Sequence, residues 1–100
     1  MIKVNIYGNN DKIELIGHSL FDDYGKDIVC AGVSSVVTTT INAILTFDEN
    51  YINYQNLKDK FEINIISHNE IVDNLINNML DMLKNIEEDY PNNIKIGKEN

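Results

Sequence analysis

Ile2-Lys3-Val4-Asn5-Ile6-Tyr7, then Gly8-Asn9-Asn10-Asp11, then Lys12-Ile13-Glu14-Leu15: this opening run sets the architecture. Ile2, Val4 and Ile6 alternate with Lys3, Asn5 and Tyr7, the period of a half-buried strand. Four turn-forming residues follow, and Ile13 and Leu15 then resume the alternation up to Gly17-His18. The segment predicts a β-hairpin with one apolar face, and such a face has to be covered by another layer.

Working outward, residues 19–26 contain Asp22-Asp23-Tyr24-Gly25 and read as a loop. From Asp27 to about Phe47 the period becomes helical, with Val33, Val37, Ile41 and Ile44 forming one stripe. Asp27 suits the N-cap, because its carboxylate can accept a bond from a first-turn N–H. Thr38-Thr39-Thr40 work against the helix by propensity. Tyr51–Tyr54 and Phe61–Ile66 read as two further strands around a polar turn at Lys58-Asp59-Lys60. Ser67 or Asn69 is expected to cap a second helix with Ile71, Leu75, Met79, Leu83 and Ile86 on its core face. Pro91 stops that helix, and Ile94-Lys95-Ile96 predicts a short last strand. The expected fold class is therefore α+β. A mainly antiparallel sheet of four to five strands carries two helices on one face, in the order ββαββα plus a C-terminal strand.

One hundred residues is the size of a single domain, expected to span residues 1–100. With 43% hydrophobic and 24% charged residues, the composition is that of a globular chain. The single cysteine excludes an intrachain disulfide and suits a reducing compartment. The alternating N-terminus lacks the apolar core of a signal peptide, and no apolar run long enough to span a bilayer is read, so a soluble cytoplasmic protein is expected. The net charge of −8 disfavours nucleic acid as a direct ligand and suits a basic protein or peptide. Acidity that merely keeps the chain soluble explains the same number. The eight basic residues look scattered in sequence.

The chemistry-bearing stretch is Gly17-His18-Ser19, then the acidic loop, then Asp27-Ile28-Val29-Cys30-Ala31-Gly32-Val33-Ser34. With Asp27 as N-cap, Cys30 is the third helical residue. First-turn N–H groups and the helix dipole there favour a thiolate, lowering the pKa from about 8.5. The same groups suit an oxyanion. Against this, Cys30 lies in line with Val33, Val37 and Ile41, where a cysteine is commonly inert core. His18 ends the second strand and can reach the start of the helix, where it would exchange protons with the thiol and a leaving amine. Strict alternation aims His18 at the face of Lys12 and Glu14, so a bulge or twist at Gly17 is needed to turn it. Gly32 suggests a close approach by another backbone or a peptide, and tight helix–sheet packing explains it equally well. Ser34, one turn beyond Cys30, can hydrogen-bond the sulfur or a nearby carbonyl, and Asp27 can orient His18 or serve only as a cap.

Taken together, Gly17-His18, Gly25, the segment from Asp27 to Ser34, and the ending Tyr90-Pro91 with Ile94-Lys95-Ile96 resemble the ribosomal-processing cysteine protease (Prp) family. The likeness runs over essentially the whole chain. It implies a cytosolic, homodimeric α+β endopeptidase that removes a short N-terminal extension from a large-subunit ribosomal protein. By the same resemblance Cys30 is the nucleophile and His18 the acid–base partner, with Gly17, Asp27 and Ser34 at other signature positions. The loop with Ser19, Gly25 and Lys26 corresponds to a mobile segment over the substrate. Ser19 and Gly32 depart from the alanines usual in the family, and both keep a small side chain.

No other constellation competes. His68 fits a cap region, and two histidines and one cysteine make no structural zinc site, which needs four ligands. No phosphate loop is present, no metal or other cofactor is implied, and Glu87-Glu88-Asp89 reads as a solvated helix end. The rival to a protease is a non-catalytic acidic module that holds a basic ribosomal protein, with Cys30 as core.

Overall fold

The computed structural model describes residues 1–17 and 28–99. Its elements are β1 (Ile2–Tyr7), β2 (Lys12–Ile16), α1 (Ile28–Phe47), β3 (Ile52–Asn56), β4 (Lys60–Ile65), α2 (Glu70–Asp89) and β5 (Ile94–Glu99). The expected order holds. The β1–β2 turn closes with Gly8 and Asn10 in the left-handed region, which glycine and asparagine tolerate.

The sheet order is β3-β4-β2-β1-β5. All neighbours are antiparallel except β1 and β5. The last strand is longer than Ile94–Ile96, because six parallel pairs from Ile2↔Ile94 to Tyr7↔Glu99 carry it along β1. Directly paired residues share a face. Ile13↔Ile6 and Ile63, and Leu15↔Val4 and Phe61, therefore stack on one side. These residues join the buried side chains of both helices in one core cluster, so the helices cover a single face.

In α1 the predicted stripe Val33, Val37, Ile41 and Ile44 is buried, together with Val29, Cys30 and Thr40. Thr40 survives there because its hydroxyl donates to the Val36 carbonyl at 2.8 Å. By length and composition α1 is apolar enough to cross a membrane, contrary to the sequence expectation. Here its stripe is packed in the core.

Asn69, not Ser67, caps α2, accepting from the Val72 N–H at 2.9 Å. Ser67 supports the cap by accepting from the Asn69 amide. The core face of α2 is Val72, Ile76, Met79, Leu80 and Leu83. Ile71 and Leu75 are only half-buried, so the predicted stripe is rotated by one residue over the first two turns. Glu87 is not simply solvated: its carboxylate accepts the Ile96 N–H at 2.8 Å and so blocks part of the β5 edge.

The other sheet face is polar. Register places Lys3, Lys12, Lys60 and Lys95 on it, interleaved with Glu14, Glu62 and Glu99, so the lysines form no continuous basic patch. Lys60, expected in a turn, begins β4 and bridges Glu14 at 3.2 Å and Glu62 at 3.0 Å. Glu14 is only 6% exposed on this face. Burial pushes its carboxyl up, but hydrogen bonds from Asn5, Lys60 and Tyr7 together hold it below the ordinary value.

Candidate active site

Cys30 is the third residue of α1, as expected, with no acidic residue inside the first turn of that helix. Nothing in that turn therefore offsets the positive end of its dipole. The side chain is 2% exposed and belongs to the core cluster with Val29 and Val33. Both readings of the cysteine thus survive in part: the helix start is right for a nucleophile, and the packing is that of a core residue.

A chain of contacts ties this helix start to the end of β2. A Cβ built on Gly32 would lie 3.6 Å from Ile86 Cδ1, an ordinary contact. Gly32 therefore faces α2, with the Ile86 side chain beside it and no other backbone in close approach among the described residues. From Ile86 the path runs through Tyr90 N–H to Ile86 O, Asn93 N–H to Tyr90 O, and Ile2 N–H to Asn93 O. Gly17 lies against the same N-terminal backbone. Its φ is +126°, and a Cβ there would collide with the Met1 carbonyl oxygen and come 3.1 Å from Ile2 Cα. Only glycine fits this conformation beside this backbone. The strand breaks where a turn of His18 out of the β2 alternation was required.

Ser34 is half-buried one turn beyond Cys30. His18, Ser19, Gly25, Lys26 and Asp27 lie outside the described residues, as does the loop 19–26. Among the described residues, no group of three or more His, Cys, Asp or Glu side chains is placed to hold a metal ion.

Sequence reasoning missed two polar clusters, Glu14 with its partners and His68 between two carboxylates. Alternation gave the face of Glu14 but not its burial. The Asp11 carboxylate meeting His68 comes from 57 residues away, so no local signal announced it.

The model of the family described as Cysteine protease Prp matches residues 1–95. The ribosomal processing cysteine protease Prp of Staphylococcus aureus is 37% identical over 98 residues, covering 95% of this chain and 92% of the relative. The Bacillus subtilis protein of the same name is 30% identical over 111 residues, covering 96% of each. The crystal structure of S. aureus Prp with a covalently linked product peptide superposes with a TM-score of 0.83 at 33% identity, covering 99% of this chain and 100% of that one. The S. aureus enzyme with a substrate peptide gives a TM-score of 0.85 at 29% identity, with the same coverage. With its helix-start cysteine and its whole-length match in sequence and fold, the chain belongs to the Prp family of cysteine proteases.

Proposed function

We propose that this chain removes the short N-terminal extension of a large-subunit ribosomal protein, with Cys30 as nucleophile and His18 as its proton-transfer partner. The observation that carries the assignment is arithmetic. A cysteine protease needs a thiol, and this chain has one cysteine, at the amino end of α1. The names of the relatives support the substrate class, and the product peptide covalently linked to S. aureus Prp is consistent with an enzyme-bound intermediate.

In the proposed sequence His18 takes the Cys30 thiol proton and the sulfur attacks the scissile carbonyl carbon. The positive end of α1 stabilises the oxyanion. Collapse breaks the C–N bond, His18 gives its proton to the departing amine, and the acyl group stays on sulfur as a thioester. Water, deprotonated by the same imidazole, hydrolyses the thioester and restores the thiol. Asp27 orients His18 or caps α1; Ser34, one turn beyond Cys30, hydrogen-bonds the sulfur or a nearby carbonyl; and Gly17 gives the break that turns His18. Ser19, Gly25 and Lys26 contact the peptide. Because Cys30 is 2% exposed, attack requires a conformation in which the sulfur is uncovered.

A homodimer working in the cytosol completes the proposal, and light scattering of the purified chain measures the first part. The acidic surface suits a basic substrate protein. Reading Cys30 as inert core of a binding module draws on its burial alone. Incubating the precursor with the wild type and with Cys30→Ala, then reading the products by mass spectrometry, separates the two. A single cut near the precursor's N-terminus, made by the wild type alone, is expected. Equal cleavage by both proteins removes the nucleophile assignment.

A further inference from the structure

The β1–β2 turn lies at the opposite end of the sheet from Gly17, since β1 runs from the Lys3↔Ile16 pair to the Tyr7↔Lys12 pair. There the His68 ring sits between two carboxylates. Its Nε2 is 2.7 Å from Asp11 Oδ1 in the turn, and its Nδ1 is 3.0 Å from Asp73 Oδ1 in α2. Ionised carboxylates only accept hydrogen bonds, and a neutral imidazole has one N–H to give. Both contacts are satisfied together only when both ring nitrogens carry protons.

The same turn is joined to its neighbours by bonds that do not titrate. Asp11 N–H donates to Tyr7 O, Ile65 N–H donates to Asp11 O, both at 2.9 Å, and the Asn10 amide donates to Asn77 of α2 at 3.1 Å. A cavity of about 270 Å³ opens beside the ring, lined by Asn9, Asn10, His68, Asp73 and Asn77. All three charged side chains are partly exposed, so bulk protons reach them.

We propose that His68 is a pH-sensitive clasp. Protonated, it fastens the β1–β2 turn to the first turn of α2; neutral, it keeps at most one of its two bonds and the turn loosens from the helix.

The surrounding charges favour the closed form. Asp11 faces the ring from the turn and Asp73 from α2, and Glu70 adds a negative charge in the same first turn of the helix. Lys12, next to Asp11 in sequence, is 3.4 Å from Glu62 on the polar sheet face. The positive end of the α2 dipole opposes the imidazolium. The balance raises the pKa of His68, through the hydrogen bond to Asp73 first and then that to Asp11. The Asp11 carboxyl is lowered in turn, by its bond from His68 and then by the Asn9 N–H. A raised histidine pKa means the clasp adds stability in full below the unfolded-state value. That stability is lost as pH rises through the folded one.

The test is an NMR titration of the full chain, which has two histidines. The His68 signals are those lost in His68→Gln, with the amide exchange of Ile65 followed in parallel. The His68 midpoint should lie above that of a free imidazole and fall in Asp11→Asn and in Asp73→Asn. Ile65 exchange, corrected for its intrinsic pH dependence, should quicken as pH passes the His68 midpoint in the wild type, with no such step in His68→Gln. A wild-type His68 midpoint at or below the free value overturns the clasp, whether or not the variants fold. An Ile65 profile with no step in the wild type overturns it as well.

Discussion

α1 and α2 are both twenty residues long and pack in one core, yet their first turns carry different charge. α2 starts on a side-chain cap from Asn69, with Glu70 and Asp73 in its first turn. Its free N–H groups and its dipole are answered by stabilising partners. The first turn of α1 holds no acid, and its third residue is Cys30. With no acid among its first helical residues, α1 forgoes the small stabilisation that such side chains bring there, and the proposed thiolate and oxyanion would use that end of the dipole. Under the proposed function, the difference separates a helix start built for stability from one that serves chemistry. It predicts that substitutions at the α1 start act on turnover, while those along α2 act on folding.

The largest effect expected is at the proposed partner of the α1 cysteine. His18→Ala should lower kcat/KM on a cleavable peptide by about 10²–10⁴-fold, the range for a positioned acid–base group. Its urea midpoint should stay near that of the wild type. On α2, Leu83→Ala should cost about 2–5 kcal/mol in urea unfolding, because the side chain is fully buried. Activity per folded molecule should hold. If Leu83→Ala instead removed turnover from a well-folded protein, the division between the helices would fail.

Gly17→Ala belongs to neither helix and sharpens the comparison. At φ +126°, with the Met1 carbonyl in the way, an added methyl should cost about 1–3 kcal/mol. If Gly17 turns His18 toward the helix as proposed, the change should also lower turnover. A stability loss with unchanged kcat/KM would reduce Gly17 to a packing role. Asn69→Ala should cost about 1 kcal/mol, the ordinary value of a side-chain N-cap, with no change in turnover.

The smallest effect concerns acid. The Glu14 carboxyl is held below its ordinary value, so it stabilises the fold above the unfolded-state pKa and ceases to as pH falls through the folded one. Glu14→Gln should lower stability most at neutral pH, where the ionised carboxyl contributes, and least in acid, so that the acid limb of the unfolding curve flattens. An unaltered acid limb would mean that the Lys60, Asn5 and Tyr7 contacts do not favour the ionised form.

What was legible in the sequence follows from how local each signal is. The β1–β2 hairpin was readable because Ile2, Val4 and Ile6 alternate without interruption and Gly8–Asp11 breaks them cleanly. The α1 stripe was readable from Val33 to Ile44 despite three threonines, since one back-bonds to its own helix and the other two face solvent. α2 was harder. Ile71 and Val72, and then Leu75 and Ile76, are adjacent apolar pairs, so periodicity alone does not choose which of each pair turns inward. The structure chose Val72 and Ile76. The place of Cys30 at a helix start was legible for the same reason that α1 was. The burial of its sulfur was not, because that depends on neighbours brought together by the whole fold.

The central claim is that sulfur at the start of α1 carries the acyl group. Quenching the cleavage reaction in acid during its first turnover, and mapping the protein by peptide mass spectrometry, reads that intermediate. The peptide containing Cys30 should gain the mass of the substrate's N-terminal fragment less one water, and the adduct should disappear as product forms. Cleavage at full rate with the Cys30 peptide never modified, or the fragment attached to a different residue, would contradict it.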